Sequence, residues 1–279
     1  MTALSVENLH LDYAHKGILH GLTFHVPEEE FFIIIGPNGA GKTTLLKACA
    51  GMIQPQRGEI NILGKALHHY SRRSLSRLLA VVPQQVPLDF PFPVTETVLM
   101  GRSPHLGLWS MEKREDYRIA EEAMHFTDIT HLAERRLDQL SSGERQRVMI
   151  ARAICQQPRI IFLDEPTASL DPSHQSRIMD LMERLRRTRR ITVIMISHDL
   201  NLAALYGDRL LLLKEGEIEK TGRPGEVLTA EQLRKSYGCT LLVDQYPLSP
   251  VPRIATIPEK YRKNPDHFST PDGGRLPDP

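Results

Sequence analysis

Residues 36–43 read Gly36-Pro37-Asn38-Gly39-Ala40-Gly41-Lys42-Thr43. This stretch fits the pattern G-x-x-x-x-G-K-[ST], whose glycines let successive backbone N–H groups turn toward phosphate oxygens. The apolar run at 31–35 before it predicts a buried strand, and the segment TLLKACA after it favours a helix that begins near Lys42. Because a helix N-terminus adds the positive end of its dipole, this order of elements predicts nucleotide binding.

The residues of this loop have distinct expected roles. Lys42 is expected to bridge the terminal phosphates, and the hydroxyl of Thr43 is expected to bind Mg²⁺. The other residues from Gly36 to Thr44 are expected to surround the phosphates.

Composition sets outer limits on the fold and on the partners. A chain of 279 residues can form one large α/β domain with insertions or two small domains. Its 41% hydrophobic and 25% charged residues are ordinary for a soluble globular protein, and a net charge of +1 gives no reason to expect a nucleic-acid partner. The three cysteines lie far apart, which predicts no disulfide framework and fits a reducing cytoplasm. No apolar run approaches the ~20 residues that cross a bilayer, and the N-terminus lacks signal-peptide features, so we expect action at a membrane only through a partner.

Short apolar runs alternate with helix-patterned segments along much of the chain. Strands are predicted at 4–9, 18–26, 31–35, 59–63, 79–82, 160–163, 192–197 and 210–214. This alternation predicts an α/β fold with a parallel sheet and crossover helices. Residues 95–157 are mostly helix-patterned with a break near Ser103-Pro104, which indicates a helical insertion, and the proline-rich end predicts disorder in the last dozen residues.

Two carboxylates follow the apolar run at 160–163, namely Asp164 and Glu165. In a doubly wound sheet the carboxyl ends of strands form the ligand crevice. Asp164 is therefore expected to orient the Mg²⁺ shell beside Thr43, and Glu165 to polarise an attacking water. The alternative interpretation is an acidic turn that only ends a strand.

The acidic-turn interpretation loses weight beside the phosphate loop, and the second decisive motif is Leu140-Ser141-Ser142-Gly143-Glu144-Arg145-Gln146-Arg147. It resembles the LSGGQ signature of ATP-binding-cassette (ABC) ATPases. The phosphate loop, Leu163-Asp164-Glu165-Pro166 and Ser197-His198-Asp199 extend the resemblance over roughly residues 4–230. The resemblance implies that Ser141, Ser142, Gly143 and Glu144 of one subunit close over ATP held by the other. Ser141 is also a good N-cap for a helix that faces an anion.

The signature departs from the family at Ser142, where glycine is usual. A serine Cβ penalises positive φ and close approach to phosphate. We nevertheless expect function to be retained, since serine is tolerated near helix starts.

The family resemblance also implies an architecture. This is a P-loop NTPase (RecA-like) α/β core with an N-terminal antiparallel β subdomain and an inserted α-helical subdomain. The expected boundaries are 1–86 and 157–230 for the core with its β subdomain, 87–156 for the helical signature subdomain, and 231–279 for a C-terminal extension.

Four further positions match family motifs. Tyr13, at the end of the first strand, is expected to stack on adenine. Gln84 matches the glutamine that reaches Mg²⁺ and the attacking water, although adjacent Gln85 leaves a register one residue later open. Asp171, in Ser169-Leu170-Asp171, matches a loop that crosses the dimer seam, and His198 matches the histidine that contacts the γ-phosphate.

Segments outside these motifs resemble one branch of the family, the importers of iron–siderophore complexes, haem and cobalamin. They are Pro91 to Val98 leading to Gly101-Arg102-Ser103-Pro104-His105, the run 197–204, the run 225–229 and the stretch around Tyr237-Gly238. The resemblance implies a peripheral ATP-hydrolysing subunit on the cytoplasmic face of the membrane that uses ATP and Mg²⁺. Its expected partners are a second copy of itself, permease subunits that contact about 85–108, and indirectly a substrate-binding protein.

Other functions stay open as alternatives. An ABC ATPase for another cargo, such as molybdate or tungstate, shares part of these features. A soluble ABC ATPase of DNA repair or translation is expected to carry a long coiled-coil insertion or two cassettes. A P-loop kinase or GTPase leaves the signature and His198 unexplained, and a purely structural nucleotide-binding module leaves Glu165 and His198 without a role.

Overall fold

The computed structural model of the chain describes residues 1–13, 16–84, 92–107, 111–168, 170–247 and 250–258. Its strands are β1 (Thr2–Tyr13), β2 (Lys16–Pro27), β3 (Phe31–Ile35), β4 (Arg57–Ile62), β5 (Lys65–Ala66), β6 (Leu79–Val82), β7 (Ile160–Asp164), β8 (Thr192–Ile196), β9 (Arg209–Lys214), β10 (Glu217–Gly222), β11 (Leu241–Gln245) and β12 (Pro252–Thr256). Its α-helices are α1 (Lys42–Cys49), α2 (Arg72–Leu75), α3 (Val94–Leu99), α4 (Arg114–Phe126), α5 (Ser142–Cys155), α6 (Pro172–Arg189), α7 (Leu200–Tyr206), α8 (Pro224–Val227) and α9 (Ala230–Tyr237).

The central sheet has the strand order β10-β9-β3-β8-β7-β6. All of its neighbouring strands run parallel except β10, which pairs antiparallel with β9 at one edge. Every residue of β3, β7 and β8 is buried, which explains why these strands are continuous apolar runs in the sequence. The predicted α/β fold with a parallel sheet is therefore confirmed.

The second sheet is antiparallel, with the order β2-β1-β4-β5, and it confirms the predicted β structure at the N-terminus. One apolar cluster joins its inner face to α1 and to one face of the central sheet. Within that cluster the rings of Phe24 and Phe32 stack with centroids 5.9 Å apart. This packing fixes β2 beside the loop at 36–41.

The helices α3, α4 and α5 pack on the other side of the central sheet and share a single apolar cluster with it. The predicted break near Ser103-Pro104 is present, because α3 continues into a 3-10 turn at Met100–Arg102 and α4 begins at Arg114. Buried Arg102 donates from Nε to Asp116 Oδ1 at 2.9 Å and from a terminal nitrogen to the Cys155 carbonyl at 3.0 Å.

Across the described ranges, no helix is both long enough and apolar enough to span a bilayer.

The hairpin of β11 and β12 was not predicted, because prolines dominate the sequence from Pro247 onward. Its side chains pack on the main core through Leu241 and Ile254. Asn201 of α7 fixes the hairpin, since its amide accepts from the Ile254 N–H at 2.8 Å and donates to the Ile254 carbonyl at 3.0 Å. The tail predicted to be disordered, at the end of the chain, lies outside the described residues.

Glu30, directly before β3, gives the fold a pH dependence that can be measured. Glu30 is buried, and Arg209 Nε lies 3.6 Å from its Oε1. Burial raises the pKa of Glu30 from 4.5 to about 7, against the opposing charge of Arg209. The pKa of Glu30 is therefore higher in the folded protein than in the unfolded chain. Its contribution to the free energy of unfolding is fully present below pH 4.5 and is lost as pH rises through about 7.

We therefore expect the Tm of Glu30→Gln to rise relative to that of the unmodified protein between about pH 5 and about pH 8, because its side chain stays neutral. Thermal melts at both pH values measure the difference. Glu7→Gln, at an exposed position on β1, is the matched control and is expected to leave the pH dependence unchanged. The same pH dependence in Glu30→Gln and in the unmodified protein would contradict this assignment.

Candidate functional site

The loop between β3 and α1 has a conformation that requires glycine. Gly36, Gly39 and Gly41 have φ values of 147°, 77° and 99°. A Cβ on Gly36 would also lie 2.0 Å from the Leu213 carbonyl oxygen on β9. In the described residues no side chain caps the N-terminus of α1, so its first backbone N–H groups face the loop opening. The predicted order of strand, glycine-rich loop and helix is confirmed.

Lys42, the first residue of α1, is only 5% exposed. Its ammonium donates to the carbonyl oxygens of Gly36 at 2.9 Å and Pro37 at 2.8 Å. Burial lowers the pKa of Lys42, while the nearby carboxylates of Glu165 and Asp164 act in the opposite direction. The loop carbonyls therefore fix the Lys42 ammonium at the pocket, where it can bind an anion.

The two carboxylates at the end of β7 have different environments. Asp164 is buried and accepts a hydrogen bond from Thr43 Oγ1 at 3.1 Å. Burial raises the pKa of Asp164, and the bond from Thr43 opposes that rise. The hydroxyl and the carboxylate predicted to share a metal ion are thus adjacent, and both offer the oxygen atoms that Mg²⁺ prefers.

Glu165 lies between two side chains from the neighbouring strands. One carboxylate oxygen accepts a hydrogen bond from the Gln84 amide after β6, and the other accepts one from His198 Nε2 after β8. The backbone of Glu165 has a φ of 50°, in the left-handed region that non-glycine residues seldom adopt. Such conformations cluster at active sites, and this one turns the side chain out of the strand toward its two neighbours.

An open pocket of about 470 Å³ unites most of the predicted residues. Its lining consists of Ile18, Asn38, Gly39, Ala40, Gly41, Lys42, Thr43, Thr44, Gln84, Glu165 and His198. Ile18, on β2, was not predicted, because an isoleucine in a half-buried strand carries no signal of ligand contact. Tyr13 ends β1, but its side chain lies outside what the structure describes, as does Gln85.

The signature residues form a separate group at the start of α5, away from the lining of the Lys42 pocket. Ser141 is the N-cap, and its Oγ accepts from the Glu144 N–H at 3.3 Å. The Glu144 carboxylate accepts from the Ser141 N–H at 2.8 Å, and this bond lowers the pKa of Glu144. The predicted N-cap is therefore confirmed as part of a capping box. Ser142 is the first helical residue and has no positive φ, so the strain considered for a serine there does not arise.

Asp171 also lies away from the Lys42 pocket, as the N-cap of α6. Its carboxylate accepts from the backbone N–H groups of Ser173 at 2.9 Å and His174 at 3.0 Å. Ser169, two residues earlier, lies outside the described residues. One chain therefore presents two separate groups: a pocket with a cation and carboxylates, and the capped starts of α5 and α6.

Comparison with known proteins places this geometry in a family. A family model described as "ABC transporter" matches residues 19–168. The chain is 36% identical over 251 residues to a ferric enterobactin transport ATP-binding protein of Escherichia coli, covering 90% of this chain and 93% of the relative. It is 41% identical over 251 residues to a hemin import ATP-binding protein of Gloeobacter violaceus, covering 88% and 90%.

Solved structures agree with these relatives. A metal-chelate type ABC transporter, described in an inward-facing conformation, matches with a TM-score of 0.82 and 31% identity over 93% of this chain and 99% of that chain. A bacterial ABC transporter cassette described as dimeric matches with a TM-score of 0.71 and 29% identity, covering 79% and 98%. Sequence, fold and the arrangement of the pocket lead to one conclusion: the chain belongs to the ABC transporter family and is an ATP-binding subunit of that family.

Proposed function

We propose that the chain hydrolyses ATP to power the import of an iron complex, either a ferric siderophore or haem. The observation that carries the hydrolytic part is the position of Glu165, which contacts Gln84 and His198 at the edge of the Lys42 pocket. The cargo part rests on the relatives, whose names specify ferric enterobactin and hemin. Cobalamin is a further candidate cargo, and molybdate or tungstate is the alternative outside this group.

In the proposed reaction, the loop at 36–41 and Lys42 hold the β- and γ-phosphates. Glu165 accepts a proton from a water molecule as the water oxygen attacks the γ-phosphorus. The bond from that phosphorus to the β–γ bridging oxygen breaks, and ADP and phosphate leave. Gln84 and His198 each bind one oxygen of the Glu165 carboxylate, so they orient it toward the pocket.

The described residues fit a magnesium ion. Thr43 Oγ1 and Asp164 Oδ1 lie 3.1 Å apart, and the Gln84 side chain lines the same pocket. We propose that these three side chains would hold Mg²⁺. When bound there, the ion would neutralise charge on the phosphates.

The proposed active unit is a dimer of identical chains. The Lys42 pocket is open, and the signature group of the same chain does not line it. In the proposed dimer, residues 141–144 of one copy cover ATP in the other copy, and Asp171 contacts the opposite subunit. A similar structure that is described as a dimeric cassette supports the dimer.

We also propose that the chain works on the cytoplasmic face of a membrane, where permease subunits contact the region of about 85–108. Within this region, Arg102 is buried. The Pro104 carbonyl accepts from the Nε atoms of Arg73 at 3.1 Å and Arg77 at 2.9 Å, which fixes residues 102–104 to the rest of the fold. Residues 85–91 and 108–110 lie outside the described ranges.

We also propose the domain boundaries expected from the sequence. They are 1–86 with 157–230 for the ATP-binding core and its β subdomain, 87–156 for the helical subdomain, and 231–279 for the C-terminal extension.

Cargo-stimulated hydrolysis tests this function. The chain would be purified with its membrane partners and placed in vesicles, and phosphate release would be measured with a ferric siderophore, haem, cobalamin or molybdate. We expect a ferric siderophore or haem to raise the rate and molybdate to leave it unchanged. Stimulation by molybdate alone, or a chain that never associates with membrane subunits, would contradict the proposal.

A further inference from the structure

The signature glycine meets a histidine from the next helix along the chain. Gly143 is buried near the start of α5 and does not have a positive φ, so its backbone conformation is open to other residues. A Cβ built there would nevertheless lie 2.5 Å from Cδ2 and 3.1 Å from Cγ of His174. The imidazole of His174 therefore occupies the space that a side chain at position 143 would need.

The ring of His174 is held in place from its other side. Nδ1 lies 2.6 Å from Asp171 Oδ2, and the backbone N–H of His174 donates to Asp171 Oδ1 at 3.0 Å. Since a carboxylate of low pKa only accepts, Nδ1 carries the donated proton. The bond to Nδ1 fixes the orientation of the imidazole against Gly143.

Asp171 is joined by tight turns to the loop that follows Glu165. The Ala168 N–H donates to the Glu165 carbonyl at 3.1 Å, and the Leu170 N–H donates to the Thr167 carbonyl at 3.4 Å. The side chain of Gln175, on α6, donates to the same Thr167 carbonyl at 3.3 Å. These hydrogen bonds connect the residues after Glu165 with the start of α6, where Asp171 holds His174.

We propose that His174 is a positioning residue that fixes the start of α5 relative to Glu165 of the same chain. The inference rests on the proposed function, in which residues 141–144 face the ATP of the partner copy while Glu165 serves the ATP of its own copy. His174 then sets where the signature lies when the dimer closes. It does so by contacting Gly143 and Asp171, without touching the nucleotide.

A double-substitution cycle tests this role. Gly143→Ala is expected to force the ring and the helix apart and to lower kcat about tenfold or more, because small displacements at a reacting site have large effects. His174→Ala is expected to lower kcat by a smaller factor. Adding His174→Ala to Gly143→Ala removes the clash, so kcat is expected to rise from the Gly143→Ala value to that of His174→Ala. Binding of a fluorescent ATP analogue to the monomer, titrated at protein concentrations too low for dimers, is expected to stay unchanged in all these variants, because neither Gly143 nor His174 lines the Lys42 pocket.

Three controls make the cycle specific. Gly225→Ala, on α8, adds a Cβ with nothing within 4 Å and is expected to be neutral. His125→Ala removes an exposed histidine on α4 and is also expected to be neutral. His174→Asn keeps an amide that can donate to Asp171, and it is expected to restore most of the kcat lost in His174→Ala.

Two outcomes would overturn the inference while leaving the proposed function in place. One is full kcat in His174→Ala. The other is a Gly143→Ala defect that persists unchanged in the double variant, which would mean that the partner's phosphate, and not His174, excludes a side chain at 143. Thermal melts of the unmodified protein, the two single variants and the double variant test the same contact without an activity assay. We expect Tm to fall in Gly143→Ala and to recover in the double variant. Absence of ATP hydrolysis in the unmodified protein would overturn the proposed function and, with it, this role.

Discussion

Glu165→Gln is expected to lower kcat for ATP hydrolysis by a factor on the order of 10² to 10³, because an amide cannot accept the proton of the attacking water. ATP binding is expected to survive, since the loop at 36–41 and Lys42 are unchanged. The amide has nearly the shape of the carboxylate. Its oxygen can accept from His198, and its NH2 group can donate to the Gln84 side-chain oxygen once that amide turns over. The variant is then expected to accumulate as an ATP-bound dimer, because the bridging nucleotide is not cleaved.

Single-turnover phosphate release and light scattering with ATP measure these two effects. Glu121→Gln, at an exposed position on α4, is the matched control and is expected to behave as the unmodified protein. Phosphate release by Glu165→Gln at the unmodified rate would show that another group accepts the proton. Failure of the variant to bind ATP would show instead that Glu165 shapes the pocket.

Lys42→Ala is expected to weaken ATP binding by one to two orders of magnitude, because hydrogen bonds to charged groups contribute about 1.5–3 kcal/mol each. The substitution removes the buried cation of the pocket and leaves the Gly36 and Pro37 carbonyls without their donor. Part of the loss is therefore expected to come from loosening of the loop itself. Hydrolysis falls with binding, and it also loses the charge that stabilises the transferring phosphate.

Titration with a fluorescent ATP analogue gives the affinity of each variant. Lys47→Ala changes an exposed lysine on the same helix and is expected to shift the affinity by less than about twofold, as exposed charges interact weakly. An unchanged affinity in Lys42→Ala would contradict the assigned role. An equal loss in both variants would point to the net charge of the helix and not to the position of Lys42.

The loop at 36–43 and the central sheet could be predicted because their signals are local. A strand buried on both faces is an apolar run, and the glycines at 36, 39 and 41 are needed for the φ values of the loop. The adjacency of Thr43 and Asp164 also followed, since the carboxyl ends of parallel strands meet at one edge.

Other features of the site depend on tertiary packing and left little trace in the sequence. The contacts of Glu165 require the strand order β8-β7-β6, which places residues distant in sequence on either side of it. The positive φ of Glu165 could not be predicted either, because the residue is neither glycine nor asparagine, the types that usually adopt such a conformation. His174 is a histidine in a polar helical segment, a pattern typical of a solvated face, and only the fold brings its ring against Gly143.

The central claim is that each reaction site is shared between two copies of the chain. Mixing a Ser141→Arg preparation with a Lys42→Ala preparation tests it, because each variant is defective in a different half of the site. Random pairing makes half of the dimers mixed, each with one intact site, so we expect roughly a quarter of the unmodified ATPase rate from two nearly inactive proteins. No recovery at any mixing ratio, or full hydrolysis by a strictly monomeric preparation, would contradict the claim.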